Sequence, residues 1–375
     1  MVDAAPAGEV SPAWLTTVLR RAGALPRGTV LAVESRRNAA FNSFTTHLAL
    51  TYDASAPSSS PLRLLLKRSR PEAWAVEAGA REVAFYTTVM PLGDHPPMVV
   101  PCYAAEYDAA SGESFVLLRD LSDTHEAPLT RDQQLTPGQN VPSAAHLEQV
   151  VDALARFHAY WWEHPRLGQG IAQVGKWFRD QASYERLVQR GATSWAALVR
   201  DEGDWLPAEL RARFEWIFAR LPRLWERYLA PRLTTLTGVT LTHGDAYLAN
   251  FLCPRDAPNS TAGGACLIDW QSPATHLGAE DLVNLCATFW TPAQRHENGR
   301  EERALRRYHA VLRAGGVRGY SWDRLLADYR LAVVDWLLVP LQDRSEGAGK
   351  DYWWPKLRCL TGAFDDLGCA ELLEP

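Results

Sequence analysis

The segment LTHGDAYLANFL, residues 241–252, places His243, Asp245 and Asn250 on one short stretch between apolar flanks, and CLIDWQ, residues 266–271, follows with Asp269. Carboxylate and amide oxygens are the hard donors that magnesium prefers. A carboxylate that stays ionised beside a metal-bound phosphate can orient the proton of an attacking hydroxyl. Phosphoryl transfer from a nucleoside triphosphate asks little more of a protein: a cation for the phosphates, oxygen ligands for the metal, and an aspartate for the acceptor. Lysine is rare here, with only Lys67, Lys176, Lys350 and Lys356 among 39 basic residues, so Lys67, at the end of the apolar run LRLLLKR, calls for its own reason. A compact ammonium is not interchangeable with a guanidinium fork. Two other readings fit the same residues. One is a loop in which polar side chains merely collect; the other is a metal hydrolase on His243, Asp245 and Asp269, for which the nearby sequence offers only His276 as a further ligand.

These side chains need elements to position them. TVLAVES (29–35), FTTHLALTYD (44–53), LRLLLKR (62–68) and SFVLLRDL (114–121) are β-branched, alternating or continuously apolar runs and read as strands. ASAPSSS (54–60) reads as a surface turn. A helix is expected over 74–90, where Ala78, Glu82, Phe85 and Val89 form one stripe while Glu77 shares its line with Arg81, Ala84 and Thr88. Glu82 therefore faces inward, where an unpaired carboxylate is costly. Beyond Leu121 a polar, proline-bearing connection leads to SAAHLEQVVDALARFHAYWW. Its apolar residues Leu147, Val150, Val151, Leu154, Phe157 and Trp161 have helical spacing after a Ser143 N-cap. Most of the remainder reads as helix, interrupted by a hairpin-like region around 240–270 with TAGGA (261–265) as its turn. The expectation is an α+β fold: an antiparallel-sheet domain over 1–120 and a larger, mostly helical domain over 121–375.

Composition narrows the partners. A chain of 375 residues is long for one small core. A net charge of −5 and a pI near 6.1 argue against nucleic acid, which usually selects a clustered basic face. Cys102, Cys253, Cys266, Cys286, Cys359 and Cys369 are scattered without CxxC pairs, unlike a zinc knuckle or a secreted disulfide framework. The start lacks the charge and apolar run of a signal peptide, and no stretch reaches the roughly 18 apolar residues of a membrane span. A cytoplasmic monomer or homodimer acting on a small molecule is expected, with neither nucleic acid nor membrane as partner.

HGDAYLANFL followed by LIDWQ resembles the catalytic and metal-binding loops of the aminoglycoside phosphotransferase and choline kinase-like superfamily, relatives of the protein kinases. DWQ, with EVAFY and LARFHAYWW, resembles the ecdysteroid-kinase-like branch of small-molecule kinases. The resemblance implies a two-lobed protein-kinase-like fold. It also implies ATP- and magnesium-dependent transfer of a γ-phosphate, with GTP as an alternative donor, to a hydroxyl of an antibiotic such as an aminoglycoside, an amino alcohol, a sugar or another metabolite. By the same resemblance Asp245 is catalytic, Asn250 and Asp269 hold the metal, and Lys67 contacts the α and β phosphates with Glu82 as its partner. His243 and Asp281 support the catalytic loop. Main-chain groups of Leu118–Leu121, with Arg119 and Leu121 among them, meet the nucleotide base. The phosphate-covering segment RRNAAFNSFT departs from pattern in having no glycine, which leaves Asn42 and Ser43 as side-chain donors. Intact Lys67, Asp245, Asn250 and Asp269 argue against a catalytically silent nucleotide-binding pseudokinase. On the acceptor side stand Trp161, Trp162, Trp290, Trp336, Trp353 and Trp354, and the acidic Glu280, Asp335 and Asp351. Aromatic residues at helical spacing are more often core than ligand wall.

Overall fold

The computed structural model describes residues 10–39, 43–89, 97–136, 139–175, 177–255 and 264–374. The chain forms two compact units, one of Met1–Glu126 with Pro254–Ser272 and one of Ala127–Cys253 with Pro273–Pro375. Sequence reading set one boundary at residue 120; the stretch carrying Asp269 instead packs with the first unit, because contacts rather than chain order decide membership.

In the first unit, helix α1 (Pro12–Arg21) begins at Ser11, whose hydroxyl accepts the Trp14 N–H, with proline in the first turn. Five antiparallel strands follow: β1 (Val30–Ala39), β2 (Ser43–Tyr52), β3 (Arg63–Ser69), β4 (Cys102–Tyr107) and β5 (Ser114–Arg119). Their order in the sheet is β1-β2-β3-β5-β4. The four strands expected from the sequence are all present; β4 was not foreseen. Successive residues of a strand face opposite sides. Leu64 and Leu66 of β3 accordingly join Leu48, Leu117 and α1's Leu15 and Leu19 in one core. Lys67, between Thr45 and Val116 in register, is sent to the other face. There lies helix α2 (Ala73–Val89), which buries Ala78, Glu82, Phe85 and Val89 as the stripe requires. Glu77 stays outside and pairs with Arg81 one turn on at 2.7 Å.

In the second unit, α3 (Ala144–Trp161) starts at Ser143, whose side chain accepts the His146 N–H, and buries the apolar stripe read from the sequence. Helices α4 (Gln181–Glu202) and α5 (Ala208–Phe218) follow. The 240–270 region contributes β6 (Thr240–Thr242), which finds its antiparallel partner in β7 (Ala274–His276). Most of the expected TAGGA turn lies outside the described residues. Short helix α6 (Ala279–Leu282) runs on through a wider π turn (Val283–Ala287). Helix α7 (Arg300–Ala314) packs along α3, with Arg307 forked onto both Asp152 oxygens at 2.6 and 2.9 Å. Helix α8 (Trp322–Trp336) packs on α6, and α9 (Val339–Ser345) and α10 (Lys350–Asp366) complete the unit.

Helix α2 approaches β5 so closely at Gly79 that a Cβ there would lie 2.2 Å from Ser114 Oγ and 3.0 Å from Ser69 Cβ. Gly79→Ala is expected to lose about 1–3 kcal/mol by overpacking, whereas Glu77→Ala, on the exposed face, is expected to stay within about 0.5 kcal/mol of the parent. Denaturant unfolding measures both, and a fully stable Gly79→Ala protein would mean that α2 does not sit this close to the sheet.

Candidate functional site

The residues that sequence reading assigned to nucleotide and metal divide between the units. In the first, the Lys67 ammonium lies 2.7 Å from Glu82 Oε2 and also contacts Asp269 Oδ1. Burial alone would drive this ammonium toward neutrality, but the two carboxylates outweigh it and hold Lys67 above its ordinary range. Burial pushes the Glu82 carboxyl up, against the pull of Lys67. Helix α2 grips the DWQ segment at three points. Glu82 accepts the Trp270 main-chain N–H, Phe85 stacks on the Trp270 ring at 4.0 Å and 7°, and Arg81 Nε donates to the Gln271 carbonyl at 2.8 Å. Asp269 itself has φ +66, a left-handed backbone costing on the order of 1 kcal/mol for a residue with a Cβ. Its contact with Lys67, and the Gln271 N–H donated to its carbonyl at 2.9 Å, hold it there.

Ser43 is buried, with no hydrogen-bond partner for its hydroxyl among the described residues, on a water-sized void shared with Lys67, Ser69, Gly79 and Glu82. Asn42 lies outside the described residues. Arg119 ends β5 with its side chain exposed, and its main-chain N–H is spent on the Pro101 carbonyl. The Asp120 N–H goes to Arg63, while the Leu121 carbonyl accepts from Thr124 and His125 in a turn. Asp120's carboxylate is held by His47 Nδ1 at 2.7 Å.

In the second unit, β6 delivers His243 and Asp245. Asp281 is fully buried and accepts the N–H groups of His243 at 2.6 Å and Gly244 at 2.8 Å, together with His158 Nε2 at 3.1 Å. Burial would raise the Asp281 carboxyl, but His158, His243 and the main-chain donors hold it below the ordinary carboxylate range. His158 Nδ1 in turn meets the Tyr308 hydroxyl at 2.7 Å. Gly278 is where these two rings crowd the backbone, since a Cβ would stand 2.4 Å from Tyr308 Oη. His243 Nδ1 accepts the Asp245 N–H at 3.3 Å, so the ring braces the loop. Asn250 Nδ2 donates to the Asp245 carbonyl at 2.8 Å and to its Oδ2 at 3.3 Å, which turns the amide oxygen into the atom available to a cation. Asp245 remains partly exposed.

Sequence reading missed His158, Tyr308 and Gln134, whose Oε1 accepts the Ala249 N–H at 3.2 Å. For His158 a signal existed: it interrupts the Val151–Leu154–Trp161 stripe of α3, and a polar residue on an apolar stripe needs a buried partner. Of the acidic candidates, Glu280 and Asp335 come together across α6 and α8, while Asp351 is exposed on the first turn of α10. Trp161, Trp290 and Trp353 are core residues. Trp336 instead donates Nε1 to Glu280 Oε2 at 2.7 Å.

The ecdysteroid kinase-like family profile matches residues 67–315, from Lys67 through Asp281 and into the helices beyond. This chain belongs to the ecdysteroid kinase-like family. Its fold is similar to that of a macrolide 2'-phosphotransferase from Brachybacterium faecium, with a TM-score of 0.51, 16% identity, and 92% of this chain and 97% of that one covered. Aminoglycoside 2'-phosphotransferase-IIIa, solved with GDP, aligns with a TM-score of 0.49 at 15% identity over 95% and 99% of the two chains. A choline/ethanolamine kinase family protein from Mesorhizobium loti aligns with a TM-score of 0.45 at 15% identity over 91% and 88%. No curated protein matches the sequence. As an ecdysteroid kinase-like protein, the chain has the α+β, protein-kinase-like fold of small-molecule phosphotransferases. No described helix is long and apolar enough to cross a membrane.

Asp281→Ala strips the acceptor from two buried main-chain N–H groups and from His158, and is expected to lower stability by at least about 3 kcal/mol. Tyr308→Phe removes one neutral hydrogen bond and is expected to lower it by about 1 kcal/mol. Equal losses in denaturant melts would show that Asp281 is not the hub of this network.

Proposed function

We propose that this protein transfers the γ-phosphoryl group of ATP, or of GTP as alternative donor, to a hydroxyl of a small molecule, with magnesium as cofactor. The observation that carries this reading is the Lys67 ammonium held between the Glu82 and Asp269 carboxylates inside the first unit. Three residues remote in sequence are brought to one point there, and each is of the type that phosphate and metal binding requires.

In this reading Lys67 binds the phosphates, and Glu82 keeps it charged and aimed. Ser43, with Asn42, covers the phosphates, and the chain at Arg119–Leu121 meets the base. Asp269 and the Asn250 amide oxygen are hard donors that fit magnesium, which when bound neutralises charge on the phosphate oxygens. Asp245 orients the acceptor hydroxyl. The acceptor oxygen attacks the γ-phosphorus, the bond to the β-phosphate oxygen breaks, the diphosphate leaves, and the acceptor's proton passes to Asp245. His243 is not the base, because its Nδ1 is engaged by the Asp245 N–H. His276, which the hydrolase reading needed as a ligand, lies instead against Phe178 and Glu280. The first domain serves the nucleotide and the second the acceptor, in a cytoplasmic monomer or homodimer. The acceptor is an alcohol-bearing antibiotic, amino alcohol, sugar or other metabolite.

Asp245→Asn is expected to cut phosphoryl transfer by at least about 1,000-fold, since positioning and proton acceptance are lost together, while ATP binding by calorimetry stays near the parent's. Lys67→Ala is expected to weaken ATP use at limiting ATP. The assay is transfer of labelled phosphate from γ-labelled ATP across a panel of hydroxyl compounds. Undiminished transfer by Asp245→Asn to a validated acceptor would defeat the proposal, and so would ATP stabilisation without any labelled product across the panel.

A further inference from the structure

The second unit contains a group of buried polar atoms outside the residues assigned to phosphate and metal. Glu280 on α6, Asp335 on α8 and His276 on β7 are 8%, 4% and 5% exposed. One oxygen of Glu280 is taken by Trp336 Nε1 at 2.7 Å, and the Tyr184 hydroxyl bears on Asp335. Glu280 Oε1, Asp335 Oδ2 and His276 Nδ1 have no hydrogen-bond partner among the described residues. Glu280 Oε1 and His276 Nδ1 are 3.3 Å apart but misaligned for a bond. Asp335 is the strongest neighbouring charge on Glu280.

Two desolvated acids side by side cannot both be charged unless a cation joins them; otherwise they hold protons. Among the described residues, the guanidinium that bears on this group is committed elsewhere. Arg232, the guanidinium that bears on His276, is spent on Asp328 at 2.5 Å and on the carbonyls of Thr237 and Gly238. Asp281 and Asp328, which also bear on Glu280, have partners of their own in His158, Arg232 and Tyr320. Aromatic rings surround the group. Trp177 meets Trp336 edge-on at 5.6 Å, and Phe178 meets His276 at 5.4 Å and Tyr184 at 5.0 Å.

We propose that Glu280 Oε1, Asp335 Oδ2 and His276 Nδ1 bind a primary ammonium group carried by the acceptor. An alkylammonium has three N–H donors and no acceptor, which matches the three unpartnered atoms one for one. The aromatic rings add attraction for a cation. A quaternary ammonium has no donor to offer and an alcohol only one. Burial depresses His276 to about 4, so near neutrality its ring is uncharged and accepts at Nδ1 when the proton sits on Nε2. Without a cation, burial lifts Asp335 to about 7 and, together with the Asp335 charge, lifts Glu280 well above its ordinary range. The empty site therefore holds protons that an incoming ammonium expels. Binding tightens as pH rises toward 7, where Asp335 ionises unaided.

The assignment rests on the phosphotransferase reading only in giving the amine to the acceptor, so the site is tested without nucleotide. The full chain is titrated calorimetrically with ethylammonium chloride, tetramethylammonium chloride and ethanol at constant ionic strength, in two buffers of different ionisation heat. Ethylammonium is expected to bind with a buffer-dependent heat that reports proton release, and the other two probes are not. Glu280→Gln and Asp335→Asn are each expected to weaken ethylammonium by at least about tenfold, with Glu215→Gln as the exposed control and ATP affinity unchanged in all three. No ethylammonium binding, equal binding of tetramethylammonium, heats independent of buffer, or parental affinity in both site variants would each overturn the proposal. If the variants do not fold, the probe comparison and the buffer dependence decide it on the parent protein. Ethylammonium binding in a protein that transfers no phosphate would overturn the kinase reading and leave this site standing.

Discussion

An ammonium enclosed by protein stays charged only if carboxylates replace the water it has lost. Much of the first unit follows from that requirement at Lys67. The pleat of β3 turns Lys67 away from the leucine core, and α2 must lie close enough to present Glu82. Gly79 permits that approach, with Ser114 and Ser69 against it. The third member, Asp269, reaches Lys67 through a left-handed residue, with Trp270 stacked on Phe85 one turn beyond Glu82. Each feature would be a local cost or oddity alone; together they keep two carboxylates on one cation.

The second unit meets the same requirement differently. Among the described residues no lysine or arginine pairs with Asp281. Two main-chain N–H groups and His158 carry its negative charge, and through them it fixes the loop that presents Asp245 and Asn250. Glu280, the residue before it, is also buried but keeps one oxygen without a hydrogen-bond partner among the described residues. Adjacent residues on one short helix therefore differ sharply: one carboxylate is saturated, and the other is buried beside the His276 imidazole and under the influence of a second acid, Asp335. A saturated carboxylate organises backbone, and the other is where we place the ammonium.

The family match and the fold establish what kind of protein this is, but a shared fold does not carry an acceptor with it. In the ammonium site proposed above, the residues that select the acceptor lie on α6 and α8, beside the aromatic segment around Trp177 and Phe178. The segment RRNAAFNSFT, proposed to cover the phosphates, keeps its departure from pattern. It has no glycine, and Ser43 is buried with no hydroxyl partner among the described residues.

Local chemistry made much of this legible from the sequence. Strand and helix periods located the sheet strands β1, β2, β3 and β5 and helices α2 and α3, because each element must turn its apolar side chains to one face. The same arithmetic separated Glu82 from Glu77. The HGDAYLAN and LIDWQ segments stood out because residues with carboxylate, amide and imidazole groups are gathered there on short stretches. What the sequence did not contain was any pairing between distant elements. The return of 254–272 to the first unit, the Tyr308–His158–Asp281 chain, and the meeting of Glu280 with Asp335 while Asp351 stays outside all depend on helix packing. A one-dimensional pattern says which face of an element is buried. Only the packed interior says what that face touches, and for a buried charge the identity of its neighbour decides whether it is paired, protonated or open to a ligand.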